Sequence, residues 1–99
     1  MTDERRSERR VSLNLPVRWD GLAGASEARV EDIGLGGCFV NSRGHVDVGE
    51  LVSLEIKLPS GEQLDLRGEV TSYQPGIGFG VVFPFLTEDE EEALRELIS

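Results

Sequence analysis

The chain has 99 residues, of which 38% are hydrophobic and 29% charged, as is typical of one soluble domain with a single modest core. Its net charge is −9 and Lys57 is its sole lysine, which argues against DNA or RNA binding through many spread cationic side chains. The sequence shows neither an apolar run long enough to span a bilayer nor an apolar secretory segment, and Cys38 is its only cysteine, which excludes an intrachain disulfide. We therefore expect a cytoplasmic location without membrane insertion.

Basic residues are concentrated at the N-terminus. Residues 1–18 hold five basic and three acidic residues (net +2), whereas residues 19–99 hold five basic and sixteen acidic residues (net −11). Four arginines form the run Arg5-Arg6-Ser7-Glu8-Arg9-Arg10. Their planar donor groups can pair with phosphate oxygens or guanine edges and can stack on a purine. We predict a flexible, Arg-rich switch segment over residues 1–10 and one domain over residues 11–99, although the run alone fits a solvated basic tail equally well.

Alternating hydrophobic residues predict the first three strands. The first strand buries one face, formed by Val11, Leu13, Leu15, Val17 and Trp19. Pro16 falls among the polar positions of this strand and favours an edge or a bulge there. A weaker strand is predicted over Ser26–Ile33, and a short apolar run over Cys38–Val40 follows a glycine-rich segment.

The second half of the domain contains the clearest alternation. Residues 41–50 are predicted to form a loop, after which Val52–Leu58 and Leu64–Tyr73 form two strands joined by a hairpin connection at Pro59–Glu62. A last strand is predicted over Ile77–Phe83. Six short strands with tight turns indicate an all-β fold, a small antiparallel β-barrel.

Only the C-terminus has a helical pattern. Thr87 is a favourable N-cap, and Glu90 three positions later completes a capping box. Ala93, Leu94 and Leu97 then form, with Ile98, one narrow apolar stripe. We predict a helix over about residues 87–98 that packs this stripe against the sheet.

Catalysis finds little support in the sequence. His45 is the only histidine and lies in a predicted loop, where a solvent-facing position is expected. Cys38 is adjacent to glycine and phenylalanine and is expected to be a small core residue. A zinc site needs about four good nitrogen or sulfur ligands, and only these two are available. We therefore predict no enzymatic activity, no metal site and no cofactor.

The segment Asp32-Ile33-Gly34-Leu35-Gly36-Gly37 adds a second candidate for ligand binding. Ionised Asp32 only accepts hydrogen bonds, so it can receive the N1–H and N2–H2 donors of a guanine. Glycines at 34, 36 and 37 allow backbone amides to approach a ligand closely. Taken by itself, the segment is explained as well by an ordinary glycine-rich turn.

Together the two segments resemble the PilZ domain family, whose members are bacterial receptors for cyclic di-GMP. The family pattern is RRxxxR, followed some twenty residues later by a D/NxSxxG loop. The arginine run fits the first motif, and the second is matched at Asp32 and Gly37. The strands that contain Leu15-Pro16-Val17 and Gly78–Phe83 also resemble the family, so that the similarity covers nearly the whole chain.

The resemblance implies a six-stranded antiparallel barrel with a C-terminal helix, and a cyclic di-GMP site with named residues. Arg6 and Arg10 would grip phosphate and guanine edges with support from Arg5, while the role of Arg9, within the variable part of the motif, stays open. Asp32 would hold a guanine, and Gly37, with Gly36 beside it, would permit close approach.

One position departs from the family pattern, since Gly34 replaces the family serine and its hydroxyl. The expected function is a sensor that binds cyclic di-GMP as a stacked dimer and signals to an unidentified partner protein. The alternative is a PilZ-like interaction module that binds the ligand weakly or not at all.

Overall fold

The structure is a computed structural model that describes residues 10–99. These described residues form eight strands and one helix: β1 (Arg10–Val11), β2 (Leu15–Gly21), β3 (Gly24–Glu31), β4 (Ile33–Gly34), β5 (Gly37–Asn41), β6 (Leu51–Lys57), β7 (Gln63–Gln74), β8 (Gly78–Val82) and α1 (Glu88–Ile98). Six strands form a closed antiparallel barrel in the order β2-β3-β5-β8-β7-β6, and β1 pairs with β4 in a separate two-stranded sheet. The predicted six-stranded barrel with a C-terminal helix is confirmed.

The predicted first strand is divided in two. Its alternation persists, because Leu15, Val17 and Trp19 are buried, but Ser12–Asn14 lies outside any strand. β2 belongs to the barrel, whereas β1 pairs with β4. Pro16 lies inside β2 and not at the end of the sheet, in register with Arg29 of β3, and the pairing of β2 with β6 begins one residue later. Proline has no N–H to donate to a strand ladder, and it is tolerated at position 16 because the ladder between β2 and β6 begins only at the next residue.

The barrel encloses an apolar core centred on two aromatic rings. Trp19 and Phe79 meet edge to face with their ring centroids 5.1 Å apart. The indole Nε1–H of Trp19 donates to Oγ of Ser42 at 3.1 Å, so the polar atom of this buried ring has a partner. The largest side chain of the barrel interior is therefore packed against a second ring, and its polar atom has a hydrogen-bond partner.

The predicted loop over residues 41–50 contributes a side chain to the core. Asn41 is still the last residue of β5, and the loop then buries Val46 almost completely. The carboxylate of Glu50 accepts hydrogen bonds from the backbone amides of Leu22 at 2.7 Å and Asp47 at 2.9 Å. One buried side chain thus joins this loop to the β2–β3 turn.

Helix α1 begins with the predicted capping box. The amide of Glu90 donates to Oγ1 of Thr87 at 3.1 Å, and the amide of Thr87 donates to Oε1 of Glu90 at 3.0 Å. Leu94 is fully buried, and Ala93, Leu97 and Ile98 pack against the core beside it. Because α1 packs against β4 and β7, the apolar stripe serves the core of this domain.

Candidate functional site

The two candidate segments meet in the sheet formed by β1 and β4. Arg10 is in register with Gly34, and Val11 with Ile33. Of the predicted binding residues, Arg10, Asp32, Gly34, Gly36 and Gly37 are described, while Arg5, Arg6 and Arg9 lie outside the described residues. The end of the arginine run therefore lies directly beside the glycine-rich segment, a contact that neither sequence pattern contains.

Asp32 forms the junction between β3 and β4 in a backbone conformation that is uncommon for non-glycine residues. Its φ is 52°, in the left-handed region, and it is the only non-glycine residue with positive φ within residues 10–99. Its side chain is exposed, and Oγ of Ser12 donates to its Oδ1 at 3.5 Å, which is a weak contact. Strained backbone of this kind concentrates at functional sites, and an accessible carboxylate can accept donors from a ligand.

Gly36 and Gly37 differ in what their missing side chains allow. Gly36 is exposed, a Cβ built on it meets nothing within 4 Å, and its carbonyl accepts from the amide of Phe83 at 2.9 Å. A Cβ on buried Gly37 would lie 2.1 Å from the carbonyl oxygen of Val81. The close approach at Gly37 is therefore to strand β8, whereas Gly36 has open space in front of it.

Two polar contacts that the sequence analysis missed are made by β3, the strand that directly precedes Asp32. Arg29 donates through Nε to Oδ1 of Asn14 at 2.6 Å and through a terminal nitrogen to the Asn14 carbonyl at 3.1 Å. Asn41 donates to Oε2 of Glu31 at 3.0 Å. The period-two pattern places Arg29 on the outer face of β3, but it carries no signal for a partner fifteen residues away.

Cys38 and His45 are separated by their environments. Cys38 is fully buried, and this burial raises the pKa of its thiol to about 12, although the positive charge of Arg10 acts in the opposite direction. The imidazole of His45 is 65% exposed, its Nε2 lies 3.1 Å from Oδ1 of Asp47, and its ring meets Tyr73 edge to face. The predictions of a core cysteine and a solvent-facing histidine are both confirmed. A thiol with so high a pKa holds almost no thiolate near neutral pH and is a poor nucleophile.

Within residues 10–99, no group of three or more His, Cys, Asp or Glu side chains is arranged to hold a metal ion. Across the same residues, no helix has the length and apolar character needed to cross a bilayer.

Two solved structures share the fold. The inhibitor of motility of Bacillus subtilis (MotI/DgrA) superposes with a TM-score of 0.78 at 20% sequence identity, over 95% of this chain and 49% of that one. This chain thus spans about half the length of that protein. The PilZ domain of CeSA from a cellulose-synthesizing bacterium superposes with a TM-score of 0.70 at 20% identity, over 90% of this chain and 93% of that domain.

Comparison of the sequence with curated proteins and comparison with family profiles gave different results. Among curated proteins, none matches the chain. The profile of the PilZ domain, in contrast, matches residues 4–99 and so includes both the arginine run and the Asp32–Gly37 segment. On this match over nearly its full length, the chain belongs to the PilZ domain family.

Proposed function

We propose that this domain is a non-enzymatic, cytoplasmic sensor that binds cyclic di-GMP between its arginine run and the Asp32–Gly37 segment. The observation that supports this most strongly is the pairing of Arg10 with Gly34, two residues from the Asp32 carboxylate. Membership of a family of cyclic di-GMP receptor domains supports the ligand.

The residue chemistry matches the two parts of this ligand. Arg6 and Arg10, supported by Arg5, supply cationic forks for phosphate oxygens and for O6 and N7 of guanine. Asp32 supplies the acceptor for the guanine N1–H and N2–H2 donors. Open space at Gly36 lets a ligand approach the backbone from outside. Two stacked ligand molecules would place more than one guanine within reach of these groups.

Signalling follows from the position of the site. A ligand held between residues 5–10 and residues 32–37 changes the surface around β1 and β4. Because α1 packs against β4, this surface continues into the C-terminal helix. An unidentified partner protein would recognise the ligand-bound surface.

Gly34 affects the affinity of the proposed site. The family serine would add a hydroxyl, and the loss of one hydrogen bond costs about 0.5–1.5 kcal/mol, or very roughly 2- to 10-fold in affinity. A backbone amide or a bridging water recovers part of that loss. Weaker binding, and not its loss, is therefore expected from Gly34.

Isothermal titration calorimetry with cyclic di-GMP tests the proposal. The wild type should bind, and the Arg6→Ala/Arg10→Ala double variant should lose most of that affinity. Arg43→Ala/Arg67→Ala is the matched control, since it removes the same charge at two arginines that are exposed and lie outside the proposed site. No heat from the wild type at ligand concentrations on the order of 100 µM would contradict the proposal. Equal loss of cyclic di-GMP affinity in both double variants would show that the effect comes from net charge and not from the arginines of the proposed site.

The alternative function, an interaction module without ligand binding, is favoured by Gly34 itself. The variant Gly34→Ser restores the family hydroxyl. If the wild type is silent and Gly34→Ser binds cyclic di-GMP, the interaction module is the correct function. If both bind, with the variant a few-fold tighter, the sensor is supported.

A further inference from the structure

A groove lies on the outside of the barrel, along the β6–β7 hairpin. It has a volume of about 610 Å³, and the residues that matter for its chemistry are Leu51, Glu55, Asp65, Arg67, Phe85 and Glu90. We call it the β6–β7 groove. It exists because β7 pairs with β8 only from Glu69 onward, while the chain after β8 passes the earlier part of β7 on its way to α1.

Two large apolar side chains border the β6–β7 groove and face solvent. Phe85 is 86% exposed and Leu51 is 62% exposed. Of these two, Leu51 is unusual because the other outward-facing positions of β6, Ser53, Glu55 and Lys57, are polar, while Phe85 lies in the segment between β8 and α1. A second protein segment that covered them would bury apolar area which the barrel leaves in water.

The charges of the β6–β7 groove are mainly negative. Glu55 and Asp65 are directly opposite each other across β6 and β7, an arrangement of like charges that weakens strand pairing. Glu90 adds a third carboxylate, against Arg67 as the cation of the groove. Arg18 lies opposite Glu55 on the β2 side and offsets that carboxylate. Asp65 accepts a hydrogen bond from Nε2 of Gln63 at 2.8 Å, and Glu90 accepts one from the amide of Thr87, but these neutral donors leave both carboxylates negatively charged. The groove thus combines several carboxylates with exposed apolar groups.

We propose that the β6–β7 groove binds a segment of a partner protein in which an aromatic or aliphatic side chain is flanked by lysines or arginines. The apolar side chain would pack on Phe85 and Leu51, and the cations would face Asp65 and Glu90. The negative potential of the groove would raise the association rate of such a segment and would disfavour neutral or acidic segments. This inference is independent of cyclic di-GMP binding and stands or falls on its own test.

The test uses synthetic peptides, because the partner is unidentified. The probe is the fluorescein-labelled peptide acetyl-GKRLFKRLG-amide, measured by fluorescence anisotropy and by amide shifts of the nitrogen-15-labelled protein. One control peptide, acetyl-GKRSSKRSG-amide, keeps the cations, and another, acetyl-GEELFEELG-amide, keeps the apolar residues. We expect the probe to bind at least about 5-fold more tightly than either control, with shifts concentrated in β6, β7 and residues 84–90.

Matched variants separate this groove from general attraction between a basic peptide and an acidic protein. Phe85→Ser should weaken probe binding by about 10-fold or more, whereas Leu22→Ser, at the equally exposed position 22 (85%), should change it less than about 2-fold. Asp65→Asn should weaken probe binding about 3-fold or more, and Glu92→Gln, which removes the same charge from an exposed site on α1, should not. The melting temperature of Asp65→Asn should hold or rise, because the repulsion with Glu55 is removed.

The proposal is wrong if the probe and the all-cation control bind equally, or if Phe85→Ser and Leu22→Ser behave alike. It is also wrong if sedimentation shows that Phe85 mediates self-association of this chain while the probe fails to bind, because the occupant would then be a second copy. A fall in the stability of Asp65→Asn that accounts for its weaker binding would count against the electrostatic part.

Discussion

Replacement of Gly37 by alanine tests whether this glycine is needed by a ligand or by the barrel. The added Cβ would lie 2.1 Å from the carbonyl oxygen of Val81 and 3.0 Å from Cα of Val82. Both atoms belong to backbone in register with β5, so neither can rotate away. Overpacking of this kind costs about 1–3 kcal/mol, and we expect about 3 kcal/mol here. A domain of this size has only about 5–15 kcal/mol of stability, and each kcal/mol is worth about 4–8 °C in melting temperature.

Gly36→Ala is the matched control for that prediction. Its Cβ would meet nothing within 4 Å, and we expect its free energy of unfolding to stay within about 0.5–1 kcal/mol of the wild type. Urea unfolding followed by the fluorescence of Trp19, the sole tryptophan and only 2% exposed, measures both variants. If Gly37→Ala is as stable as Gly36→Ala, the close approach to β8 does not require glycine at position 37. If Gly36→Ala keeps its stability but loses cyclic di-GMP affinity, the ligand approaches the backbone at residue 36.

Three further predictions concern other parts of the domain. Ser42→Ala leaves the buried Nε1–H of Trp19 without its acceptor and should cost about 1–3 kcal/mol in urea unfolding, and a loss below about 0.5 kcal/mol would show that water replaces the hydroxyl. Burial raises the pKa of Cys38 from 9.0 to about 12, so only the unfolded chain ionises this thiol between those values. Stability should therefore fall as the pH rises from about 9 toward 12, with a smaller slope in Cys38→Ala, and equal slopes would contradict the burial argument. Asp32→Gly relieves a positive φ of 52° and should leave stability within about 1 kcal/mol of the wild type, while it weakens cyclic di-GMP binding about 10-fold or more; unchanged binding would remove Asp32 from the site.

Much of the fold could be predicted from local pattern. The alternation over Val52–Leu58 and Leu64–Tyr73 corresponds to β6 and β7, because a strand with one buried face must repeat every two residues. The spacing of Thr87 and Glu90 predicted the start of α1, since a capping box involves only neighbouring backbone groups. The first strand was predicted less well. Val11 and Leu13 continue the alternation of Leu15, but Val11 belongs to β1, outside the barrel, and the barrel strand β2 begins only at Leu15.

The candidate site was likewise predictable only in part from the sequence. Arg10, Asp32 and Gly37 were recognisable as residue types that suit binding of a guanine nucleotide, and their motifs indicated the family. Their proximity was not predictable from alternation, because the pairing of Arg10 with Gly34 joins positions twenty-four residues apart through two short strands outside the barrel.

By itself, the sequence determined most of the strands, the start of the helix, and the residue types proposed for the site, because each of these depends on neighbours along the chain. Only the tertiary structure decided that β1 pairs with β4, that Gly37 is required by the backbone of β8, and that Glu55 and Asp65 are opposite each other beside exposed Phe85. The pairing of β1 with β4 lies outside the barrel, and the contact of Gly37 with β8 arises from closure of the barrel. Both contacts, and the approach of Phe85 to the β6–β7 hairpin, join segments that are distant along the chain, which no local pattern encodes.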